Sequence, residues 1–86
     1  MASYQIEWRG SALKELRKLP KQMIPRIVSA VALLSEVPHP EGVRKLTGSE
    51  HTDRIRVGDY RVIYDVIKER LIIEVIRVRH RADAYQ

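Results

Sequence analysis

Residues 54–64, with the sequence RIRVGDYRVIY, decide the fold because they specify a β-hairpin. Polar and apolar residues alternate on both sides of Gly58-Asp59, a dipeptide typical of two-residue hairpin turns. A turn of that length places Arg56 opposite Arg61 on the neighbouring strand. Side chains alternate between the two faces of a sheet. The residues predicted to face a hydrophobic core are therefore Ile55, Val57, Tyr60, Val62 and Tyr64.

The other face of this hairpin is predicted to carry three arginines, Arg54, Arg56 and Arg61. Like charges that lie opposite each other on neighbouring strands are destabilising. A bound polyanion would offset that repulsion. The whole chain has 16 Lys and Arg against 11 Asp and Glu, a net charge of +5, which also favours nucleic acid or an acidic protein as partner.

The final strand, predicted over residues 71–79, extends the arginine face. A three-residue turn at 68–70 places Arg77 opposite Arg61, whereas a turn of two or four residues would turn the arginines toward the core, where desolvation disfavours them. The chosen register directs Glu74 toward the helices. It also gives the face an apolar far half, suited to docking a protein partner, formed by Ile63, Ile67, Leu71, Ile73 and Val75.

The N-terminal half predicts one strand and two helices. Alternation over residues 4–8 indicates a half-buried strand, and Ser11 is the expected cap of a first helix that ends at Pro20. A second helix is predicted over residues 21–36, before a breaker cluster at 38–42. The 86 residues therefore predict one α+β domain. It consists of an N-terminal strand, a helical hairpin and a three-stranded antiparallel meander, forming one small sheet with both helices packed on one face.

Several classes of function are disfavoured by what the sequence lacks. It has no cysteine, and its three histidines, His39, His51 and His80, are not at metal-ligand spacing. No glycine-rich phosphate loop is present. No apolar run approaches the roughly 20 residues that span a bilayer, and the N-terminus lacks a signal-peptide pattern. We therefore expect a cytoplasmic protein without metal, cofactor or membrane contact.

The remaining chemistry is phosphoryl transfer on RNA, which carries its own nucleophile in the 2′-hydroxyl. An enzyme need only align that hydroxyl, neutralise developing charge and move protons. Arginines supply the charge but are poor bases because their pKa exceeds about 12. The candidate proton carriers are His80, Tyr85, Tyr60 and Tyr64. Strand alternation points His80 away from Arg79 and Arg81.

Three stretches together resemble the RelE family of the RelE/ParE toxin superfamily. They are Lys45-Leu46-Thr47-Gly48, the hairpin of residues 54–64, and Val78-Arg79-His80-Arg81 followed by Tyr85. The resemblance covers nearly the whole chain. It implies a toxin of a type II toxin–antitoxin system, a metal-independent endoribonuclease that cleaves mRNA in the ribosomal A site. Such toxins leave a 2′,3′-cyclic phosphate and inhibit translation. The implied partners are a cognate antitoxin, mRNA on the ribosome with contacts to 16S rRNA, and operator DNA only when the antitoxin is bound.

The resemblance also implies roles for individual residues. Arg61 and Arg81 match the family's phosphate-stabilising and acid arginines, and Tyr85 matches its C-terminal tyrosine. Arg54 and Arg56 stand where some members have lysines, one of which is implicated in base chemistry. This departure leaves the base role open between Tyr85 and His80. The additional candidates for substrate binding are Lys45, Arg77 and Arg79.

Two other functions stay open at this point. ParE-like toxins share the fold but act on DNA gyrase, and the hairpin sequence does not separate the two branches. A non-catalytic module that binds nucleic acid or protein would also use a basic sheet face. The terminal pairing of Arg81 with Tyr85 favours the RelE-like ribonuclease.

Overall fold

Strand β4, Tyr60–Ile67, lies at the centre of the sheet in the computed structural model, which describes residues 3–40, 44–45 and 52–82. The other elements are β1 (Gln5–Trp8), α1 (Gly10–Arg17), α2 (Met23–Leu33), β2 (Arg44–Lys45), β3 (Thr52–Val57) and β5 (Ile72–His80). The sheet order is β1-β5-β4-β3-β2. β1 runs parallel to β5, and the other neighbours are antiparallel. The predicted α+β class and element order are confirmed, with the short β2 as an addition.

The hairpin of β3 and β4 has the predicted register. Arg56 lies opposite Arg61, and Val57 opposite Tyr60, so that Gly58-Asp59 is the whole turn. Gly58 adopts a φ of 61°, which glycine tolerates without the steric cost that a Cβ would add.

One face of the sheet buries the core beneath the helices. β4 and β5 supply alternate residues, and α1 and α2 supply the apolar stripes that cover them. The residues buried there are Ala12, Leu16, Ile27, Val31, Leu34, Ile55, Val62, Tyr64, Val66, Ile73, Val75 and Val78.

The helices differ from prediction at their ends. α2 begins at Met23 rather than Lys21, which places Pro25 in the first turn, where backbone N–H groups have no helical partner. It is followed by tight turns that reach Val37. The prediction that Ser11 caps α1 is wrong, because Arg9 occupies the cap position and Ser11 Oγ donates to the carbonyl oxygen of Ile76 at 3.0 Å.

The ladder between β4 and β5 differs from prediction in two places. Ile67 pairs with Ile72, so four residues form the turn, and Leu71 closes it with a φ of 53°. An irregularity then makes Tyr64 pair with Val75 but Ile63 with Arg77, which leaves Ile76 as an extra residue, a β-bulge. The predicted pairing of Arg77 with Arg61 is therefore wrong, because Arg79 lies opposite Arg61.

The four-residue turn also reverses the faces of residues 72–75. Ile73 and Val75, which were predicted on the arginine face, are fully buried in the core. Glu74, which was predicted to point toward the helices, lies opposite Asp65 on the other face. The bulge then reverses the alternation again, because an extra residue shifts every following side chain to the opposite face. Arg77 and Arg79 therefore lie on the face opposite the core, although the turn has four residues.

Candidate functional site

The sheet face opposite the helices, which we call the open face, carries an arginine cluster at one end. Arg61 on β4 lies between Arg56 on β3 and Arg79 on β5. In the next row, Ile63 lies between Arg54 and Arg77. We call these five arginines the basic end of the open face. Three adjacent strands thus bring together residues that are 25 positions apart in sequence, from 54 to 79.

Contacts within the protein orient several of these side chains. Arg56 Nε donates to the carbonyl oxygen of Gly58 at 3.0 Å, which folds the side chain toward the hairpin turn. The Nε atoms of Arg54 and Arg61 are buried within the face. Arg77 Nη1 and Arg79 Nε lie 3.6 Å and 3.3 Å from Glu15 Oε2. Guanidinium groups held in this way present fixed donors to a phosphate with little loss of side-chain freedom.

The rest of the open face is not the continuous apolar surface that the sequence predicted. Beyond the basic end lies an acidic row of Glu7, Glu74 and Asp65, in register across three strands. Arg9 Nη2 pairs with Glu74 Oε1 at 2.8 Å, and Thr52 Oγ1 donates to Asp65 Oδ1. Only after this row come the apolar partners Ile67 and Ile72. Docking of a protein partner on this apolar end stays a prediction.

Arg81 lies beyond the end of β5, beside the hairpin turn. Its backbone N–H donates to the carbonyl oxygen of Asp59 at 2.8 Å, and its Nε lies 4.0 Å from Asp59 Oδ1. The side chain is 61% exposed. Arg81 is thus tethered next to the basic end through its backbone, while its guanidinium group can reach a ligand from solvent.

His80 lies on the helix side of the sheet, as strand alternation predicted. β5 extends through His80, whose ring meets that of Tyr60 edge to face at 5.4 Å between centroids. The ring lines a cleft with Glu15, Lys18 and Arg79. His80 Nδ1 accepts a hydrogen bond from the backbone N–H of Ala82 at 3.2 Å. The neutral ring then carries its proton on Nε2 and acts as a donor there.

Tyr64, another candidate proton carrier, is buried on the core side. Its hydroxyl donates to the carbonyl oxygen of Pro38 at 2.8 Å. Burial, and secondarily the Asp53 carboxylate, raise the pKa of the Tyr64 phenol well above its ordinary value. The structure therefore separates Tyr64 from the basic end in both position and acidity.

Two candidate residues lie wholly or partly outside the described part of the chain. Tyr85 lies outside the described residues. Lys45 lies on β2 with its backbone opposite Asp53, but its side chain is outside the description. Glu15 does not stand out in the sequence, because its position in α1 is that of a residue on a solvated helix face. Its contacts with β5 become visible only once α1 is docked.

Within the described residues, no group of three or more histidine, cysteine or acidic side chains is arranged to hold a metal ion. None of the helices described is long and apolar enough to cross a membrane. The described site brings together guanidinium groups, the half-buried carboxylate of Glu15 and the histidine in the neighbouring cleft.

Comparisons with known proteins agree with this fold. The family model described as ParE toxin of type II toxin–antitoxin system matches residues 6–85. Toxin RelG of Mycobacterium tuberculosis is 33% identical over 87 aligned positions, covering 96% of this chain and 97% of RelG. The mRNA interferase toxin RelE of Escherichia coli is 31% identical, covering 96% of this chain and 90% of RelE.

The fold is also that of solved toxin structures. The toxin in the crystal structure of the intact E. coli RelBE toxin–antitoxin complex superimposes with a TM-score of 0.80 at 30% identity. The alignment covers 91% of this chain and 96% of that one. With a family model spanning nearly its whole length, the chain belongs to the RelE/ParE family of toxins from type II toxin–antitoxin systems.

Proposed function

We propose that this toxin is an endoribonuclease that cleaves mRNA in the ribosomal A site and thereby inhibits translation. The observation that carries the proposal is the row of Arg56, Arg61 and Arg79 across three strands of the open face. The name mRNA interferase, borne by a relative that is 31% identical, supports the same activity.

The row suits a reaction in which RNA provides the nucleophile. The 2′-hydroxyl attacks the adjacent phosphorus, the bond to the 5′-oxygen of the next nucleotide breaks, and a 2′,3′-cyclic phosphate forms. Negative charge grows on the phosphate oxygens during attack, and preorganised guanidinium donors stabilise that charge. Arg61, at the centre of the row, is the proposed phosphate-stabilising residue, with Arg56 and Arg54 beside it.

Proton transfer requires groups other than these arginines. The leaving oxygen gains a proton, for which Arg81 is the proposed donor, since it lies tethered and exposed next to the basic end. The 2′-hydroxyl loses a proton, for which Tyr85 is the proposed acceptor. His80 is the second choice because its ring faces the cleft on the helix side and its Nδ1 already accepts a hydrogen bond. Lys45, Arg77 and Arg79 are proposed to bind the RNA backbone.

A cognate antitoxin is the proposed protein partner, with operator DNA bound only by the toxin–antitoxin pair. The superimposed RelE chain was solved as a toxin–antitoxin complex. Exposed apolar side chains on this chain offer contact area for such a partner, among them Leu33 at the end of α2 and Val37 shortly after it. Binding over the open face would block access to the arginines and neutralise part of the net charge.

Primer extension on RNA from cells that express the toxin tests the activity. We expect growth arrest and new 5′ ends within translated codons, absent from cells that express Arg61→Ala at the same level. Folding of the variant is checked by circular dichroism. Intact messages in arrested cells would refute the proposal.

The ParE family model favours a second candidate, inhibition of DNA gyrase. Relaxed or unusually supercoiled reporter plasmids and induction of the DNA-damage response would support it. Normal supercoiling at full toxicity would exclude it. A non-catalytic binding module predicts neither cut messages nor altered plasmids.

A further inference from the structure

Helix α1 covers the edge of β5 beyond the point where β1 ends. β1 pairs with β5 as far as Trp8 and Val75, and the backbone N–H of Arg9 then donates to the Val75 carbonyl at 2.9 Å. From there the contacts come from side chains of α1. Ser11 Oγ donates to the carbonyl of Ile76, and Glu15 Oε1 accepts from the N–H of Val78 at 3.0 Å. α1 thus satisfies backbone groups that an absent strand would otherwise satisfy.

Glu15 does more than satisfy the strand edge. Its second oxygen, Oε2, lies 3.3 Å from Arg79 Nε and 3.6 Å from Arg77 Nη1. One carboxylate therefore contacts three successive residues of β5. The Glu15 side chain is 24% exposed, so solvent screens these pairs less than it would on an open surface.

The contact with Arg79 is made through Nε rather than through the end of the side chain. An arginine held at Nε in this way would present its two Nη groups to a phosphate bound in the row with Arg61. A carboxylate at this place has two opposite effects. It lowers the positive charge available to RNA, and it fixes the direction of the arginine that shares the row with Arg61.

We propose that Glu15 is a positioning residue, which orients Arg79 and Arg77 for the phosphate and so raises the rate of the chemical step while weakening RNA binding. This inference rests on the proposed ribonuclease function. It predicts that RNA affinity and cleavage rate change in opposite directions, which the change in charge alone would not produce. Removing the charge of Glu15 makes the face more basic, so that RNA binds more tightly, yet the bound RNA is cleaved more slowly.

Glu15→Gln and Glu36→Gln form the matched pair that tests it. Each removes one negative charge, and Glu36 is exposed just beyond α2, away from the basic end. The glutamine at position 15 keeps an oxygen that can accept from Val78 N–H, so the fold is expected to persist. Purified proteins are assayed for cleavage of mRNA on programmed ribosomes, with kcat and KM determined separately.

For Glu15→Gln we expect kcat to fall roughly 10- to 100-fold, the scale of loss when a reacting group is misplaced by about 1 Å. KM should stay the same or fall. Glu36→Gln should keep the wild-type kcat. Equal kcat values for the two variants would overturn the positioning role, as would a rise in KM that accounts for the whole loss.

A wild-type toxin that cuts no message would refute the proposed function rather than the placement of Glu15. The placement is then decided by ¹⁵N NMR of the free proteins. The Arg79 Nε–H signal should move or broaden in Glu15→Gln and keep its position in Glu36→Gln. An Arg79 signal that is unchanged in Glu15→Gln would overturn the inference independently of any activity.

Discussion

The two halves of β5 differ in the element that lies along their outer edge and in the face on which their alternate side chains lie. Residues 72–75 pair with β1, and Ile73 and Val75 enter the core. Residues 77–80 have α1 rather than a strand at their outer edge, and Arg77 and Arg79 lie on the open face. The difference arises at Ile76, the one extra residue in the ladder. A single bulge thus lets one strand complete the core and also supply the arginine row, which a regular strand could not do with this sequence.

Val78→Asp should have the largest effect on the second half of β5. The bulge returns Val78 to the core, where it is 2% exposed, and burying an unpaired charge there costs about 3–5 kcal/mol. We expect a protein that is unfolded or barely folded, measured by urea denaturation followed by circular dichroism. Ile76→Asp, at the half-buried bulge itself, introduces the same charge and should lose much less. A Val78→Asp variant with near wild-type stability would show that the bulge does not turn this half of β5 as described.

Arg61→Ala tests whether the arginines of β4 and of the second half of β5 form one phosphate-binding site. Loss of one preorganised donor to a developing oxyanion lowers kcat by about 10²–10³-fold. Arg70→Ala, in the exposed turn between β4 and β5, removes the same charge away from the row and is the control. Cleavage by Arg61→Ala at the rate of the Arg70→Ala control would contradict a phosphate role for Arg61.

Tyr64→Phe probes the ladder on the other side of the bulge, where Tyr64 lies opposite Val75. Loss of its hydroxyl leaves the carbonyl of Pro38 without this donor and should lower the free energy of unfolding by about 1–3 kcal/mol at neutral pH. Tyr4→Phe, at the partly exposed start of the sheet, is the control. A stability loss no larger than that of Tyr4→Phe would show that the bond contributes little.

Because its pKa is raised, Tyr64 makes the free energy of unfolding depend on pH in a known direction. Its stabilising effect is fully present below the ordinary tyrosine pKa of about 10 and is lost as pH rises toward the higher folded value. The free energy of unfolding of the wild type should therefore fall above about pH 10, by up to about 1.4 kcal/mol per pH unit more steeply than that of Tyr64→Phe. Parallel curves would contradict the burial of a neutral phenol.

Ser11→Ala should have the smallest effect, about 1 kcal/mol, because it removes one hydrogen bond at the bulge. Ser29→Ala, on the exposed face of α2, is the control and should be near neutral. Hydrogen exchange near Ile76 should accelerate in Ser11→Ala alone. Identical exchange in both variants would mean that α1 does not hold the bulge through Ser11.

The hairpin could be predicted from sequence because its geometry is local. The dipeptide Gly58-Asp59 fixes the turn, the turn fixes the register, and the register places Arg54, Arg56 and Arg61 together. The amphipathic helices and their packing on one face could be predicted for a similar reason, since a period of 3.6 residues identifies the buried stripe.

The β4–β5 ladder could not be predicted, because two local deviations compensate each other. Leucine gives no sign of a left-handed conformation, yet Leu71 adopts one and lengthens the turn to four residues. Ile76 then restores the arginines to the open face. A regular ladder after a three-residue turn predicts the correct face for Arg77 and Arg79, although the turn has four residues and the ladder has a bulge. The same prediction places Ile73, Glu74 and Val75 on the wrong faces.

Glu15 was missed for a different reason. Its contacts join α1 to a strand much later in the sequence, since Val78 lies 63 positions after Glu15. No local pattern separates a glutamate that covers a strand edge from one that faces water. Tertiary docking of the helix therefore decides the composition of the site as much as the hairpin does.

The most direct measurement adds the purified toxin to ribosomes programmed with a defined mRNA and analyses the ends of the RNA. The account predicts cleavage within the codon in the A site, with a 2′,3′-cyclic phosphate on the upstream fragment, and little cleavage by Arg61→Ala. A message that stays intact with the wild-type protein, or is cut equally well by Arg61→Ala, would contradict the central claim that the basic end of the open face performs the reaction.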